Sequence, residues 1–169
     1  MCDSIDKLEA KLDSFDVSKR KEALAKLKAM ADASKIEFAE TGNLTNVHFH
    51  TFYSFNAEGY SPSKIAWLSK KMGLTIAGIV DFDVLDGLGE FYETTAILNL
   101  KACGGIETRV FVPEFADKVI NSPGEPGVSY HMGTGIPKAD TPSQLDGFKA
   151  RLCDIVKNRN LSTYDYEFI

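Results

Sequence analysis

The feature that most constrains this chain is residues 74–80, Leu-Thr-Ile-Ala-Gly-Ile-Val, set between Gly73 and the segment Asp81-Phe82-Asp83. A near-continuous apolar run of strand length belongs to a parallel strand covered on both faces. A chain with such a strand must supply helices to cover it, and its polar groups must gather where strands end and loops begin.

The flanking sequence supplies those helices. Ser61-Pro62 reads as a helix start, with Ser as the cap and Pro at the first helical position. Ile65, Leu68 and Met72 follow at helical spacing, and Gly73 stops the helix. Residues 85–100 read as a second helix, with Leu85, Leu88, Phe91, Tyr92 and Leu98 mostly inward. Residues 46–50, 101–112 and 128–132 read as further strands, and 142–160 as a final helix. The order is β-α-β-α-β with a parallel bias, an α/β fold.

Ahead of this lies an expected N-terminal helical extension, residues 1–40. Ile5, Leu8, Leu12 and Phe15 mark one helical stripe, capped by Asp3 or Ser4. Asp16 or Ser18 opens a second helix with Leu24, Leu27, Met30 and Ala31 inward. Residues 46–169 form the main domain in this reading.

With 169 residues, 44% hydrophobic and 25% charged, the chain is long and apolar enough for one globular core. A net charge of −5 and the lack of a Lys/Arg block disfavour a nucleic-acid partner. Three scattered cysteines give neither a zinc ribbon nor a disulfide scaffold, and fit a reduced, cytoplasmic setting. The polar start is no signal peptide, and no apolar run approaches a membrane span.

Only three histidines are present: His48, His50 and His131. In a strand, residues i and i+2 share a face, so His48 and His50 aim two imidazoles at one point. That is a common start to a metal site, although two polar residues on a strand edge would read the same way. Asp81 and Asp83 follow the apolar run, Glu107 follows Gly104-Gly105-Ile106, and His131 lies in a later strand. Each has a plainer reading: Asp81 as a helix cap, Glu107 paired with Arg109, and His131 as a core histidine. Cys103 reads more readily as a structural thiol than as a nucleophile. Lys70, Lys71 and Arg109 could contact a phosphate, but a solvated helix face and an ion pair are the default readings. Gly87-Leu88-Gly89 lacks the spacing of a dinucleotide fingerprint.

In their order along the chain, these motifs resemble the PHP (polymerase and histidinol phosphatase) family. The resemblance runs over residues 46–135. It rests on His48-Phe49-His50-Thr51-Phe52-Tyr53-Ser54, Ser61-Pro62, Gly73-Leu74, Val80-Asp81-Phe82-Asp83, Gly105-Ile106-Glu107 and Tyr130-His131-Met132-Gly133.

The resemblance implies a distorted (β/α)7 barrel holding divalent metal ions, often zinc, manganese or iron, at the C-terminal strand ends. It implies His48, His50, Glu107 and His131 as ligands, with Glu107 bridging and Asp81 orienting a ligand. Asp81 and Glu107 are thereby the candidate catalytic residues. The implied activity is metal-dependent hydrolysis of a small-molecule substrate, foremost a phosphate ester, by a metal-activated water. Phe82 stands where the family usually supplies a histidine, and Phe55-Asn56 where it often supplies an aspartate or histidine. No histidine follows His131 to provide the family's later motifs. The expectation is therefore the N-terminal portion of such a barrel, incomplete, with a parent enzyme active whether or not this portion is. The alternative is a non-catalytic relative with a degenerate metal site, acting as a scaffold or ligand-binding module.

Overall fold

The computed structural model describes residues 4–136. The helix expected at 142–160 lies outside them. The elements are α1 (Ile5–Lys11), α2 (Val17–Asp32), β1 (Thr45–Phe49), α3 (Pro62–Lys71), β2 (Ile76–Phe82), α4 (Leu88–Ile97), β3 (Lys101–Phe111) and β4 (Val128–Ile136). A short 3-10 turn, Pro113–Phe115, lies between β3 and β4. The strands form one sheet in the order β1-β2-β3-β4.

Local chemistry explains most boundaries. The Ser4, Asp16 and Ser61 side chains each accept from a backbone N–H in the first turn of α1, α2 and α3 respectively. Gly73 ends the α3 segment at φ 76°, and a Cβ there would run into the Glu40 carbonyl oxygen. Glycine alone fits that left-handed position at no steric cost.

β1, β2 and β3 are parallel, each joined to the next through a helix. β4 departs from the expected parallel bias and runs antiparallel to β3. The reason lies in the connection. A parallel return needs a crossover of a dozen or more residues, usually helical. Residues 112–127 supply only the 3-10 turn and a loop with Gly124 and Gly127 at positive φ, so the chain doubles back.

α3 and α4 cover one face of the sheet. Ile65, Ala66, Trp67, Leu88 and Phe91 pack with Ala77, Ile79 and Ile106 in one buried cluster. Leu8, Leu12, Leu24 and Leu27 of the N-terminal helices belong to that same cluster. Phe15, expected on the α1 stripe, instead lies beyond the helix end. It is 86% exposed and stacks on Phe52 at 5.1 Å. The helix stops at Lys11 with buried Leu12 as its C-cap, and the periodicity does not carry on to Phe15.

The extension is fastened by polar contacts as well. The Ser61 hydroxyl donates to the Leu12 carbonyl, and the Trp67 indole and Lys71 ammonium both reach Glu9. Buried Arg20 forms a two-pronged pair with Glu90 on α4. No described helix is long and apolar enough to cross a membrane.

Candidate metal centre

The sheet face that no described helix covers is set by strand alternation. Ala77 and Ile79 face the helices, so Gly78, Val80 and Phe82 face the other way. β3 pairs in register with β2, Phe82 opposite Glu107 and Asp81 opposite Ile106. Glu107 therefore rises on the face opposite α3 and α4.

β1 reaches that face through an irregularity. Its register with β2 shifts between Asn46 and Phe49, and the Asn46 side chain accepts from the His48 N–H at 2.9 Å. Such a bulge bends a strand and re-aims its side chains. Phe49 packs against the core, which leaves its neighbours His48 and His50 on the opposite side.

The three side chains meet. His48 Nε2 and His50 Nε2 each lie 3.2 Å from the same Glu107 oxygen, Oε2. One ligand atom from each of the three residues falls within 4.8 Å of the others. Zinc binds imidazole nitrogen and carboxylate oxygen at about 2.0–2.2 Å, so the edges of its tetrahedron run roughly 3.3–3.5 Å. The two contacts to Glu107 are close to that spacing. The donor set suits a borderline divalent ion.

Ser54 settles the state of His50. Its hydroxyl has one proton and two acceptor lone pairs. The proton goes to Asn56 Oδ1 at 2.6 Å, and one lone pair accepts from the Phe82 N–H at 3.2 Å. At 3.3 Å from His50 Nδ1 it can then only accept, so Nδ1 carries the hydrogen. A neutral His50 presents a bare Nε2 to a carboxylate oxygen. Burial pushes the His50 imidazole below its usual pKa; Glu107 works against that shift and His48 adds to it. Two acceptors facing each other call for a shared proton or a metal ion between them.

The remaining sequence candidates lie elsewhere. Asp81, 2% exposed, turns toward α4 and accepts from the Thr51 backbone N–H and, at 2.6 Å, from the Thr51 hydroxyl. Burial raises its carboxyl above the usual range, against the lowering effect of those bonds. It fixes the residue next to His50 without touching the histidines.

His131 stands opposite Thr108, one place from Glu107, whose own partner is Met132. Neighbours along a strand alternate faces, so His131 leaves the far side, exposed, and is not part of the three-residue group. The antiparallel direction of β4 and its register decide this.

Sequence reasoning saw His48, His50 and Glu107. It named Ser54 only as part of a motif, and the spacing of His50 and Ser54 was the available signal for their contact. Phe82, read only as a non-ligand, lies flat on His50 with centroids 5.1 Å apart and planes 3° from parallel.

No family model matches the chain, and no curated protein does. Among solved structures, an amidohydrolase from Chromobacterium violaceum, with bound sulfate and no metal, is similar at a TM-score of 0.49 and 20% identity. The match covers 68% of this chain and 34% of that one, so the chain spans about a third of that protein's length. The functional reading accordingly stands on the geometry of His48, His50 and Glu107.

Proposed function

We propose that this chain carries the site of a divalent-metal-dependent hydrolase, with the ion held by His48, His50 and Glu107. The observation that carries the reading is the convergence of His48 Nε2 and His50 Nε2 on Glu107 Oε2, each at 3.2 Å. When bound there, such an ion lowers the pKa of a coordinated water and neutralises charge on the oxygens of the bond being cleaved.

The chain's own residues prepare the site. Ser54 fixes the His50 tautomer, and a hydrogen bond at the far nitrogen of a ligating histidine also sets its ring orientation. Asp81 anchors Thr51, and through it the end of β1. Both act by positioning. Phe82 and Phe55, 4.8 Å apart, place an apolar wall beside His50. His131 is assigned no part in this set.

The resemblance to the PHP motifs supports the finer reading: a phosphoesterase acting on a small molecule with zinc, manganese or iron, its strands forming part of a (β/α)7 wall. The flat Phe82–His50 stack favours a second reading, a degenerate site that holds metal or ligand without turnover.

Elemental analysis after zinc loading and gel filtration tests the assignment. The wild type should retain zinc, and His50→Ala and Glu107→Gln should lose it. Equal zinc in wild type and His50→Ala would remove the ligand assignment. Hydrolysis of p-nitrophenyl phosphate by the loaded chain separates the two readings: turnover that disappears in Glu107→Gln supports the esterase, and retained zinc without turnover supports the binding module.

A further inference from the structure

The loop that follows β1, residues 51–60, carries the side chain that meets His50 Nδ1. Ser54, 5% exposed, is built into the loop's own backbone bonding. Its N–H donates to the Thr51 carbonyl oxygen at 2.9 Å, and its carbonyl accepts from the Ala57 N–H at 3.1 Å. The loop is closed across its mouth, where the Phe52 N–H donates to the Tyr60 carbonyl oxygen at 2.7 Å. Ser54 therefore moves with the loop, and the contact with His50 is only as well fixed as the loop is.

Both ends of the loop are tied to one place, the corner between α1 and α2. At the far end, the Ser61 N–H donates to Asp13 Oδ1 at 3.0 Å, and the Ser61 hydroxyl donates to the Leu12 carbonyl oxygen. At the near end, the Phe15 ring stacks on Phe52, with centroids 5.1 Å apart and planes 10° from parallel. The Arg20 guanidinium lies over that same Phe52 ring at 5.2 Å and donates to the Ser14 carbonyl oxygen of the corner. Phe15 is 86% exposed, so burial of apolar surface does not explain its place. Its ring contact is with the loop.

We propose that the α1–α2 corner is a positioning device for the candidate metal centre, clamping both ends of the 51–60 loop so that Ser54 stays against His50, with Phe15 as a positioning residue. This rests on the metal-site reading for its effect on zinc, and on the loop geometry alone for its effect on His50. The N-terminal helices then serve the site as well as the core. A ligand is held in productive geometry only when the residues behind it are themselves held.

Zinc affinity of the 169-residue chain, read by competition against a chromophoric chelator, is the first measurement. Phe15→Ala removes the stack from an exposed position. It should weaken zinc binding about tenfold, the low end of the loss expected when support behind a ligating histidine goes, with the midpoint of chemical denaturation nearly unchanged. Phe15→Tyr keeps the ring and should bind as the wild type does. Asp13→Ala, at the other end of the loop, should weaken binding in the same direction. Because the route runs through Ser54, adding Phe15→Ala to a Ser54→Ala chain should weaken binding no further, the non-additivity expected of coupled residues.

Zinc affinity in Phe15→Ala within about twofold of wild type, the error of additivity for independent sites, overturns the proposal. So does a loss that Phe15→Tyr does not restore, or a full second loss in the Ser54→Ala background. If the wild type takes no zinc, the metal assignment falls alone, because the clamp is also read in the metal-free chain. There the His50 ring-proton resonances carry the shift imposed by the Phe82 ring stacked 5.1 Å away. Phe15→Ala should move them toward their positions in Ser54→Ala, and unmoved resonances would overturn the clamp.

Discussion

At the scale of the single residue, the candidate centre depends on where one proton sits. Ser54 gives its own proton to Asn56 and must therefore accept from His50 Nδ1, which leaves Nε2 for a cation. Removing that partner should weaken the site without removing a ligand. Ser54→Ala is expected to lower zinc affinity about 10–100-fold, the usual cost of losing a partner behind a ligating histidine, read by competition against a chromophoric chelator. Asp81→Asn provides the contrast. It keeps one acceptor for Thr51 and removes the charge that burial disfavours, so it should leave the fold in place and loosen metal binding only through the end of β1. Unchanged zinc affinity in Ser54→Ala would remove its positioning role.

Between elements, the Arg20–Glu90 pair joins α2 to α4 with both side chains largely buried. Arg20 is fully buried, also donates to the Ser14 carbonyl oxygen, and lies over the Phe52 ring at 5.2 Å. Removing one partner of a buried pair costs about 3–5 kcal/mol, because the other charge is left uncompensated. Arg20→Ala should show a loss of that order in chemical denaturation.

The pair also fixes a pH dependence. Burial works to raise the Glu90 carboxyl, but the hydrogen bonds from Arg20 and Ser63 and the Arg20 charge outweigh it and hold the group below its usual range. A carboxyl depressed in the folded state contributes stability above its unfolded pKa and loses it as pH falls through the folded one. The wild type should therefore lose stability as pH drops below the ordinary carboxylate range. Glu90→Gln should flatten that part of the curve. An identical acid limb in both proteins would show that other groups control it.

Over the whole molecule, the N-terminal helices and the strand–helix units share one core. Leu8, Leu12, Leu24 and Leu27 are each at most 3% exposed. Burying such a side chain contributes about 1.5–3 kcal/mol. Together they amount to roughly 6–12 kcal/mol, comparable to the total stability of about 5–15 kcal/mol typical of a domain. Deleting residues 1–35 should therefore leave a chain without cooperative unfolding, judged by near-ultraviolet circular dichroism and a denaturant titration. A sharp transition in the shortened chain would show that these helices are dispensable.

Local pattern carried much of the information in this sequence. The capping side chains of Ser4, Asp16 and Ser61, the Gly73 stop and the apolar run into β2 act within a few residues of themselves, so they mark element ends directly. The His48–His50 pair was legible for the same reason, since alternation along a strand is a local rule. Glu107 joined it through motif order.

Four things were decided only by tertiary structure. The direction of β4, and with it the face taken by His131, depends on whether a loop is covered by a helix, which is a matter of packing. The burial of Arg20 depends on Glu90, 70 positions away. The proton on His50 depends on the Ser54–Asn56 arrangement. The contacts of the Phe55 ring with Arg109 and with Phe82 depend on segments far apart in the chain meeting. A hydrogen bond or ring contact between distant residues exists only once the chain has brought them together, and no periodicity in the sequence encodes it.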